Sequence, residues 1–547
     1  MRVALPKMSE TDVLIIGAGP TGLTLALELS VQSIPFRIID KAPVPSDKSR
    51  ALAVQPRSQE LLHRHPDIAE SMLAEGTAGP GINIYCNKRH LITGTFDDLG
   101  FDDTRFGLPL WISQVDTEAA MLRQLEVYGG TVERGVSADD IKQDGVRASA
   151  TLTSGSGSGA AKEVIRAKYI VGCDGAHSVV RHSADVTFEG AQYPQQFMLC
   201  DARLRGDGYD AERVSLFLGS RVMVVFPLKN GVVRFVGERS SRSKREGDPD
   251  REEIEAFVEE MTGTRPDIAE TLWLTSFRWN CRAVNNYRDG RLFMAGDAAH
   301  IHSPAGGQGM NTGIQDAINL GWKLAAVIRG EREEAFLDTY NEERHPVGQH
   351  LLTGTDRMFN MVSSQNTIFT TVRNCLMPWI APRIWGNKAR RLAVYTFISQ
   401  MAIKYRNSSI VCTAVGFEGP VKGGWRAPDG QVTDERGEKG KWLLGMTSAR
   451  DHTIFLFAGG AEADEDDGEE SLDKAEEKIV TDGRFKEYGV IKIYAGATVG
   501  KGGYKDVDGV LHKRYGFEKG AGMVVVRPDG YVGFIGPAEC VEEFLSM

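Results

Sequence analysis

The segment TDVLIIGAGPTGLTLALELSVQSIPFRIIDK, residues 11–41, most strongly limits how this chain can fold. It begins with a continuous apolar run, passes through a glycine-rich stretch into a helical pattern, and ends in a second apolar run. Unbroken apolar runs are typical of parallel strands buried on both faces, whereas strands with one wet face alternate. The segment therefore predicts a strand–turn–helix–strand unit within a mostly parallel sheet covered by helices.

The turn of this unit has the spacing GxGxxG, formed by Gly17, Gly19 and Gly22. In such a turn the first glycine permits the tight bend, the second lets a pyrophosphate approach the backbone, and the third lets helix and strand pack closely. Asp40 ends the second strand, where an acid accepts hydrogen bonds from an adenosine ribose. This combination predicts a dinucleotide site. The neighbouring residues assigned to it are Pro20, Thr21 and Lys41.

Two later segments repeat the pattern of an apolar strand that ends in glycine and aspartate. KYIVGCDG ends in Asp174 and Gly175, and RLFMAGD ends in Gly296 and Asp297. Ligands of open α/β sheets bind at the carboxyl ends of the strands, so both ends are expected to face the same ligand as the first turn. Taken alone, the CDG segment is also typical of an ordinary turn.

The stretch that follows Asp297 is rich in glycine and then carries apolar residues at helical spacing. A helix is predicted to begin near Gly309, because Ile314, Ile318 and Trp322 then share one face. The absence of side chains at its start lets a large planar ligand lie against the backbone, opposite the positive end of the helix. The residues assigned to this contact are Gly307, Gly309, Met310 and Asn311.

Composition excludes several classes of protein. The formal net charge of −10 argues against nucleic-acid binding, which needs a basic face. The seven cysteines form no CxxC pair and no cluster with histidine, which predicts reduced thiols, a cytoplasmic location and no metal. Apolar runs of about 18 residues are absent from the sequence, so no stable membrane insertion is expected.

The motifs GAGPTG, CDGAHSVVR and AGDAAHIHSPAGGQGMN, in this order, resemble those of the class A FAD-dependent aromatic hydroxylases, above all the phenol hydroxylases and aromatic-polyketide monooxygenases. SRALAVQPRSQELL and ISQVDTEAAMLRQL resemble family segments in which an arginine and a glutamine contact FAD, here Arg50 and Gln114. The resemblance extends from about residue 10 to residue 355.

This resemblance implies a flavoprotein monooxygenase that uses FAD, NAD(P)H and O2 to insert one oxygen atom into a small aromatic, phenolic or polyketide-like substrate through a C4a-hydroperoxyflavin. NADPH is favoured over NADH by the resemblance only. Asp297 is expected to hold the ribityl hydroxyls, and Pro304 to shape the face of the flavin where O2 reacts. The residues predicted to be catalytic are Pro304, His302 and Arg234.

The general base of the reaction is where the sequence departs from its relatives. Phenol hydroxylases carry an acid at the position that appears here as Leu52. Either His302 or Tyr193 deprotonates the substrate, or the substrate ionises by itself. A structural hydrogen bond is the alternative role of His302.

Two further functions use the same motifs. One is Baeyer–Villiger oxygen insertion or a ring rearrangement in secondary metabolism. The other is a flavoprotein that only binds a ligand or transfers electrons, and that releases hydrogen peroxide with every phenol. The WxWxIP segment of flavin halogenases is absent from the sequence.

The expected fold class is α/β: a Rossmann-like FAD-binding domain with an inserted β-sheet substrate domain, followed by a thioredoxin-like C-terminal α/β domain. Within the sheet, Phe217, Met223 and Val225 are expected to line the pocket or to form core. The acidic segment 461–478 is expected to be a solvated loop. The expected boundaries are residues 1–181 and 286–355 for the FAD-binding domain, with 76–110 contributing to the substrate region, 182–285 for the substrate sheet, 356–405 for a helical lid or interface, and 406–547 for the last domain.

The stretch Thr367–Ile403 is apolar and broken by prolines. A packed lid or a subunit interface in a homodimer is favoured for it, with contact to a membrane surface as the alternative. The C-terminal domain lacks CxxC, so packing or dimerisation rather than redox chemistry is expected there.

Overall fold

The computed structural model describes residues 7–49, 51–79, 81–155, 160–206, 209–210, 212–240, 247–302, 306–364, 366–438, 440–460, 465–485, 487–495 and 502–546. The strands are β1 (Lys7–Ile16), β2 (Phe36–Asp40), β3 (Ala53–Val54), β4 (Thr77–Ala78), β5 (Gly81–Cys86), β6 (Arg89–Thr95), β7 (Leu110–Trp111), β8 (Val132–Arg134), β9 (Val136–Gln143), β10 (Ala148–Ser154), β11 (Ala161–Gly172), β12 (Phe188–Leu204), β13 (Val214–Leu218), β14 (Val222–Pro227), β15 (Val232–Glu238), β16 (Ile268–Val284), β17 (Arg288–Asp289), β18 (Leu292–Met294), β19 (His300–Ile301), β20 (Cys412–Thr413), β21 (Gln431–Asp434), β22 (Lys441–Trp442), β23 (Thr453–Phe457), β24 (Gly489–Tyr494), β25 (Tyr504–Asp506), β26 (Gly522–Val526) and β27 (Val532–Pro537). The helices are α1 (Pro20–Val31), α2 (Pro56–Leu62), α3 (Pro66–Glu75), α4 (Gln114–Val127), α5 (Val179–Ser183), α6 (Arg251–Thr262), α7 (Gly309–Ile328), α8 (Asp338–Ser363), α9 (Thr367–Trp385), α10 (Lys388–Ile398), α11 (Glu465–Thr481), α12 (Val510–Tyr515) and α13 (Val541–Leu545).

The first sheet is parallel at its centre, as the apolar run in β1 predicts. Its order is β17-β18-β11-β1-β2-β8, and β18, β11, β1, β2 and β8 run parallel. Val13, Leu14 and Ile15 of β1 are fully buried, and α1 lies against α7 over the sheet. The carboxyl ends of β1, β11 and β18 therefore meet at one edge.

The second sheet is mainly antiparallel, in the order β19-β16-β12-β15-β14-β13-β5-β6. In this sheet β14 and β15 form an antiparallel hairpin on either side of a 3-10 turn at Lys229–Gly231. Residues 81–95 contribute β5 and β6 to this sheet. Helix α6 packs on one face of it.

The third sheet has the order β20-β27-β26-β23-β24-β25-β21-β22, with α11 and α13 on one face. The predicted solvated loop is wrong, because its described part lies in the helix α11. Leu472, Ala475 and Ile479 form a buried stripe on this helix, so the acidic residues occupy only its outer side. The α/β fold class is confirmed, while the thioredoxin-like detail and the domain boundaries stay predictions.

The turn between β26 and β27 joins the third sheet to the first through buried charges. Arg527 donates to both carboxylate oxygens of Glu343 on α8, at 2.6 and 2.8 Å. Asp529 accepts from Asn319 and Trp322 of α7, at 3.1 and 3.3 Å. These hydrogen bonds thus join the third sheet to α7 and α8. Among the described residues, no helix combines the length and apolar character needed to cross a membrane.

Candidate flavin site at three strand ends

The first strand end leaves open space at one glycine only. A side chain at Gly17 would overlap the backbone of Cys173, and one at Gly22 would overlap the carbonyl of Gly17. A Cβ at Gly19 would meet no atom within 4 Å. Helix α1 begins at Pro20 without a side-chain cap, so its first N–H groups point into that space. This is the geometry that an anion at the helix start requires.

Asp40 closes the same turn. One of its carboxylate oxygens accepts the Ala18 N–H and the other accepts the Ala42 N–H, both at 2.8 Å. Lys41 beside it is exposed, and Pro20 and Thr21 are half-buried. Asp40 therefore fixes the end of β2 next to the glycine turn, where it was predicted to meet a ribose.

The second strand end, at Asp174 and Gly175, continues into a 3-10 turn. Asp174 accepts the Val179 N–H at 2.7 Å, and burial raises the pKa of Asp174 despite such hydrogen bonds. A Cβ at Gly175 would meet no atom within 4 Å, so the front of this turn is open as well. Arg181 donates to the carbonyls of Ala176 and Ala298, at 2.7 and 3.0 Å, which ties the second strand end to the third.

The third strand end presents a single exposed side chain. Asp297 is exposed, whereas residues 292–296 and 298–300 are all buried. Gly296 has φ +59° and lies against Thr21, so the first and third strand ends are in contact. Asp297 is therefore the exposed side chain at this strand end, next to the first strand end.

A buried carboxylate on α7 holds the third strand end in place. Asp316 is fully buried and accepts from the Gly296 N–H at 3.1 Å, from His300 Nε2 at 2.7 Å and from Arg344 Nε at 2.7 Å. Burial alone would raise the pKa of Asp316, but Arg344 and His300 outweigh it and lower the pKa to about 2. Sequence reasoning missed this cluster, although a carboxylate between the apolar positions Ile314 and Ile318 was a visible signal.

Helix α7 begins at Gly309, as predicted, and no side-chain hydrogen bond caps it. The side chain of Asn311 donates to the carbonyls of Ala53 and Gly307, both at 2.9 Å, and accepts the Gln55 N–H at 2.8 Å. Both side-chain N–H groups of Asn311 are thus used within the protein. The buried Oε1 of Gln55 has no hydrogen-bond partner among the described residues, a feature that sequence reasoning missed.

The remaining predicted contacts surround the same loop. The side chain of Gln114 accepts the Ala51 N–H at 3.2 Å and donates to Glu118 at 2.8 Å. Gly307 is exposed and Met310 is half-buried beside it. Arg50 and Pro304 lie outside the described residues.

His302 lies where the predicted catalytic loop meets α7. A Cβ at Gly309 would lie 3.5 Å from its imidazole, and the ring stacks on His300 with centroids 6.1 Å apart. Its position beside the helix start is therefore as predicted, and its catalytic role stays a prediction.

Alternation decides which residues of the second sheet face α6. Phe217, Met223 and Val225 pack with α6 in one apolar cluster, so they form core rather than pocket. Arg234 and Asp201 lie opposite each other on neighbouring strands. The residues next to them in sequence belong to the α6 cluster. Because side chains alternate along a strand, Arg234 and Asp201 point to the other face of the sheet.

Arg234 is 1% exposed and forms a bidentate pair with Asp201, at 2.6 and 2.7 Å. With its charge matched in this way, Arg234 joins β12 to β15. Its catalytic role stays a prediction.

Tyr193 of β12 and Asp356 of α8 form a hydrogen-bonded pair. The Tyr193 hydroxyl donates to Asp356, and burial together with this hydrogen bond raises the pKa of Tyr193. Cys281 of β16, which interacts with Tyr193, adjoins the residues that pair with β19. Because Arg282 pairs with Ile301, Cys281 lies nearly opposite His302. Neighbouring residues of a strand are about 3.3 Å apart, so the Tyr193–Asp356 pair lies close to His302. The half-buried rings of Phe277 and Trp279 flank it.

Comparison with known proteins identifies two families in this chain. Residues 10–355 match the family described as FAD binding domain, and residues 452–546 match the phenol hydroxylase C-terminal dimerisation domain. The 6-methylpretetramide 4-monooxygenase of Streptomyces rimosus is 36% identical over 365 residues, which is 66% of this chain and 64% of that protein. This chain therefore aligns with less than two thirds of that relative's length.

Two further relatives align over more of their length. A flavin-dependent monooxygenase of Mycobacteroides abscessus is 33% identical over 464 residues, 82% of this chain and 89% of that protein. The structure of OxyS, the anhydrotetracycline hydroxylase of Streptomyces rimosus, superposes with a TM-score of 0.71 at 28% identity, over 97% of this chain and 96% of the other.

Proposed function

This chain belongs to the FAD-dependent aromatic hydroxylases, and we propose that it inserts one oxygen atom from O2 into a polycyclic or phenolic substrate at the expense of NAD(P)H. One observation carries the proposal. Three strand ends from distant parts of the sequence meet at one edge of the first sheet, which two uncapped helix starts and the exposed carboxylate Asp297 border.

The residues around this space fit FAD. The open front of Gly19 and the start of α1 suit a pyrophosphate, and Asp40 suits the adenosine ribose. Asp297 is placed to accept from ribityl hydroxyls, and Asp174 and Gly175 border the same space. When bound, FAD supplies the hydride-accepting and oxygen-activating chemistry.

The start of α7 sets the electrostatics at the ring end of the site. Gly307 and Gly309 keep side chains away from the backbone there, and the uncapped N–H groups favour negative charge on a neighbouring ring. Asn311 stabilises this corner by joining Ala53, Gln55 and Gly307. The buried Oε1 of Gln55 is an acceptor that a bound group can satisfy.

Deprotonation of the substrate needs a group other than the one at position 52, because Leu52 is apolar and buried. Tyr193 alone is no base, since its raised pKa keeps the hydroxyl protonated. We infer that Tyr193 and Asp356 act as a pair: the Tyr193 oxygen accepts the phenolic proton while its own proton passes to Asp356. His302 is the competing candidate.

The relatives named above support oxygenation of large aromatic compounds by this chain, and no observation favours the ring-inserting alternative. The sequence contains no second dinucleotide-binding motif for the nicotinamide coenzyme. The preference for NADPH over NADH therefore stays a proposal. A homodimer is supported by the match of residues 452–546 to a dimerisation domain. A cytoplasmic location is supported by the seven free cysteines.

The test of this function uses the purified protein. We expect a bound FAD spectrum, substrate-accelerated oxidation of NADPH, and a product heavier by one oxygen atom with its ring intact. Asp297→Ala is expected to lower FAD affinity about tenfold or more by removing hydrogen bonds to a charged acceptor. Its control is Asp338→Ala, at an exposed carboxylate on α8. A colourless protein that takes up no FAD, or one that forms only hydrogen peroxide with every aromatic compound tried, would refute the proposal.

The proton relay is tested by comparing phenols of different acidity. Asp356→Asn and Tyr193→Phe are expected to lower kcat at neutral pH for weakly acidic phenols and to leave phenols that are already ionised unaffected. His302→Gln, measured in parallel, separates the two candidate bases. If only His302→Gln shows this dependence on phenol acidity, the pair has a structural role.

A further inference from the structure

The outer side of α9 and α10 carries an unusual concentration of exposed apolar side chains. Ile368 is 77% exposed and Trp379 is 66% exposed, values far above those of core residues of similar size. We call the exposed side of these helices the α9–α10 face; on α9 it is formed by Ile368, Val372, Leu376 and Trp379. Exposed apolar patches of this kind mark interaction sites on soluble domains.

The inner side of α9 fixes the direction of this face. Arg373 and Asn374 both donate to the carbonyl of Gly219, at 3.0 Å, and Ala381 is buried. Met377 packs against the aromatic cluster of the second sheet. Since residues 373, 377 and 381 recur every four positions, the other side of the helix must point away from the protein.

The charge around the face is strongly one-sided. Residues 357–417 contain eight Lys and Arg and no Asp or Glu, in a chain whose net charge is −10. Arg383, Lys388 and Arg390 are exposed next to the apolar side chains. Arg391 pairs with Asp98, on a turn beside α10 that also carries the exposed Asp97. The face is thus apolar with a basic margin.

This combination argues against a second copy of the chain as the occupant. A two-fold contact would set the same basic margins of both copies close together. In addition, the match to a dimerisation domain covers residues 452–546 and none of α9 or α10. An anionic lipid surface, in contrast, attracts the basic margin and accepts the apolar side chains.

We propose that the α9–α10 face docks this protein on an anionic phospholipid surface, with the helices lying in the interface and not crossing it. The apolar side chains enter the boundary between headgroups and acyl chains. Arg383, Lys388 and Arg390 lie at headgroup level, where each basic residue contributes about 1 kcal/mol.

Vesicle sedimentation of the full chain tests this docking. We expect binding to vesicles of equimolar phosphatidylcholine and phosphatidylglycerol, much weaker binding to phosphatidylcholine alone, and loss of binding at high salt. Trp379→Ser is expected to weaken binding about tenfold or more. Arg383→Gln and Arg390→Gln are expected to weaken it about fivefold each. The matched controls are Val127→Ser and Arg123→Gln, at exposed positions of α4, which should bind like the wild type.

Thermal melting of each variant shows that the fold is kept, as expected for exposed positions. Equal binding to both kinds of vesicle, or to neither, overturns the proposal. It is also overturned if light scattering shows that Trp379→Ser converts a dimer into a monomer while the wild type ignores anionic vesicles, because a second copy then covers the face.

Discussion

The first and second sheets are expected to contact their ligands in different ways. At the first sheet a ligand is expected to touch backbone, so the residue types are restricted: Gly22 has no room for a side chain, and the open space in front of Gly19 is where the ligand is expected. At the second sheet the ligand is expected to touch side chains, and many apolar residues fit either face. Contact with backbone therefore restricts residue identity, whereas contact with side chains restricts only the alternation along a strand.

The two sheets also differ in how their structure is supported. Buried charges hold the first sheet's site, with Asp316 under Gly296 and the pair of Arg527 and Glu343 behind α7. The second sheet has the Arg234–Asp201 pair on one face and an apolar cluster with α6 on the other. A change in the first sheet should therefore affect FAD binding and stability together, while one in the second should separate stability from substrate binding.

The largest effect is expected for Asp316→Asn. The change leaves Arg344 buried without its counter-charge and replaces one of the two acceptor oxygens by an N–H donor, so that the hydrogen bonds from Gly296, His300 and Arg344 cannot all be kept. We expect this to cost about 3–5 kcal/mol of unfolding free energy. FAD content and urea unfolding check this expectation. The control Asp338→Asn breaks an exposed pair with Arg288 and should cost at most about 1 kcal/mol. If the two variants behaved alike, the buried carboxylate would not support the flavin site.

The second sheet is tested by two changes on opposite faces. Met223→Ala empties a fully buried position against α6 and should cost about 2–5 kcal/mol, with KM for the aromatic substrate unchanged. Trp279→Leu, at a half-buried ring beside Tyr193, should raise KM severalfold and change stability less. Equal shifts of KM in both variants would contradict the division of the sheet into two faces.

A smaller effect separates the two glycines of the first turn. Gly22→Ala places a methyl group against the Gly17 carbonyl and should cost about 1–3 kcal/mol of stability. Gly19→Ala meets no atom within 4 Å and has an ordinary φ of −78°, so the apoprotein should be as stable as the wild type. FAD titration should nevertheless show about tenfold weaker binding or more. An unchanged FAD affinity for Gly19→Ala would mean that the ligand does not approach this glycine.

The difference between the sheets explains what was predictable from sequence. The glycine and aspartate motifs of the first sheet predicted its strand ends and the start of α7 correctly, because few residues fit those positions. The faces of Met223 and Arg234 were not predictable, since alternation shows which residues share a face but not which face α6 covers. The partners of Asp316 come from the turn after β18, from β19 and from α8, and no local pattern relates positions so far apart.

The smallest expected effect concerns pH and the joint between the first and third sheets. His452 lies against Trp322 of α7 and stacks on Tyr488. Burial, with Arg527 nearby, lowers its pKa from 6.5 to about 3. The unfolded chain therefore binds the proton first, so this contribution to stability is complete above about pH 6.5 and is lost as pH falls toward about 3.

The slope of this effect is at most about 1.4 kcal/mol for each pH unit. Urea unfolding of the FAD-saturated protein between about pH 7 and about pH 4 measures the slope, and His452→Gln should make it shallower. His177→Gln, at an exposed position, serves as the control. Because other buried groups also titrate in this range, the difference between the two variants is the quantity that matters. Identical slopes would show that the third sheet is held on α7 independently of the protonation of His452.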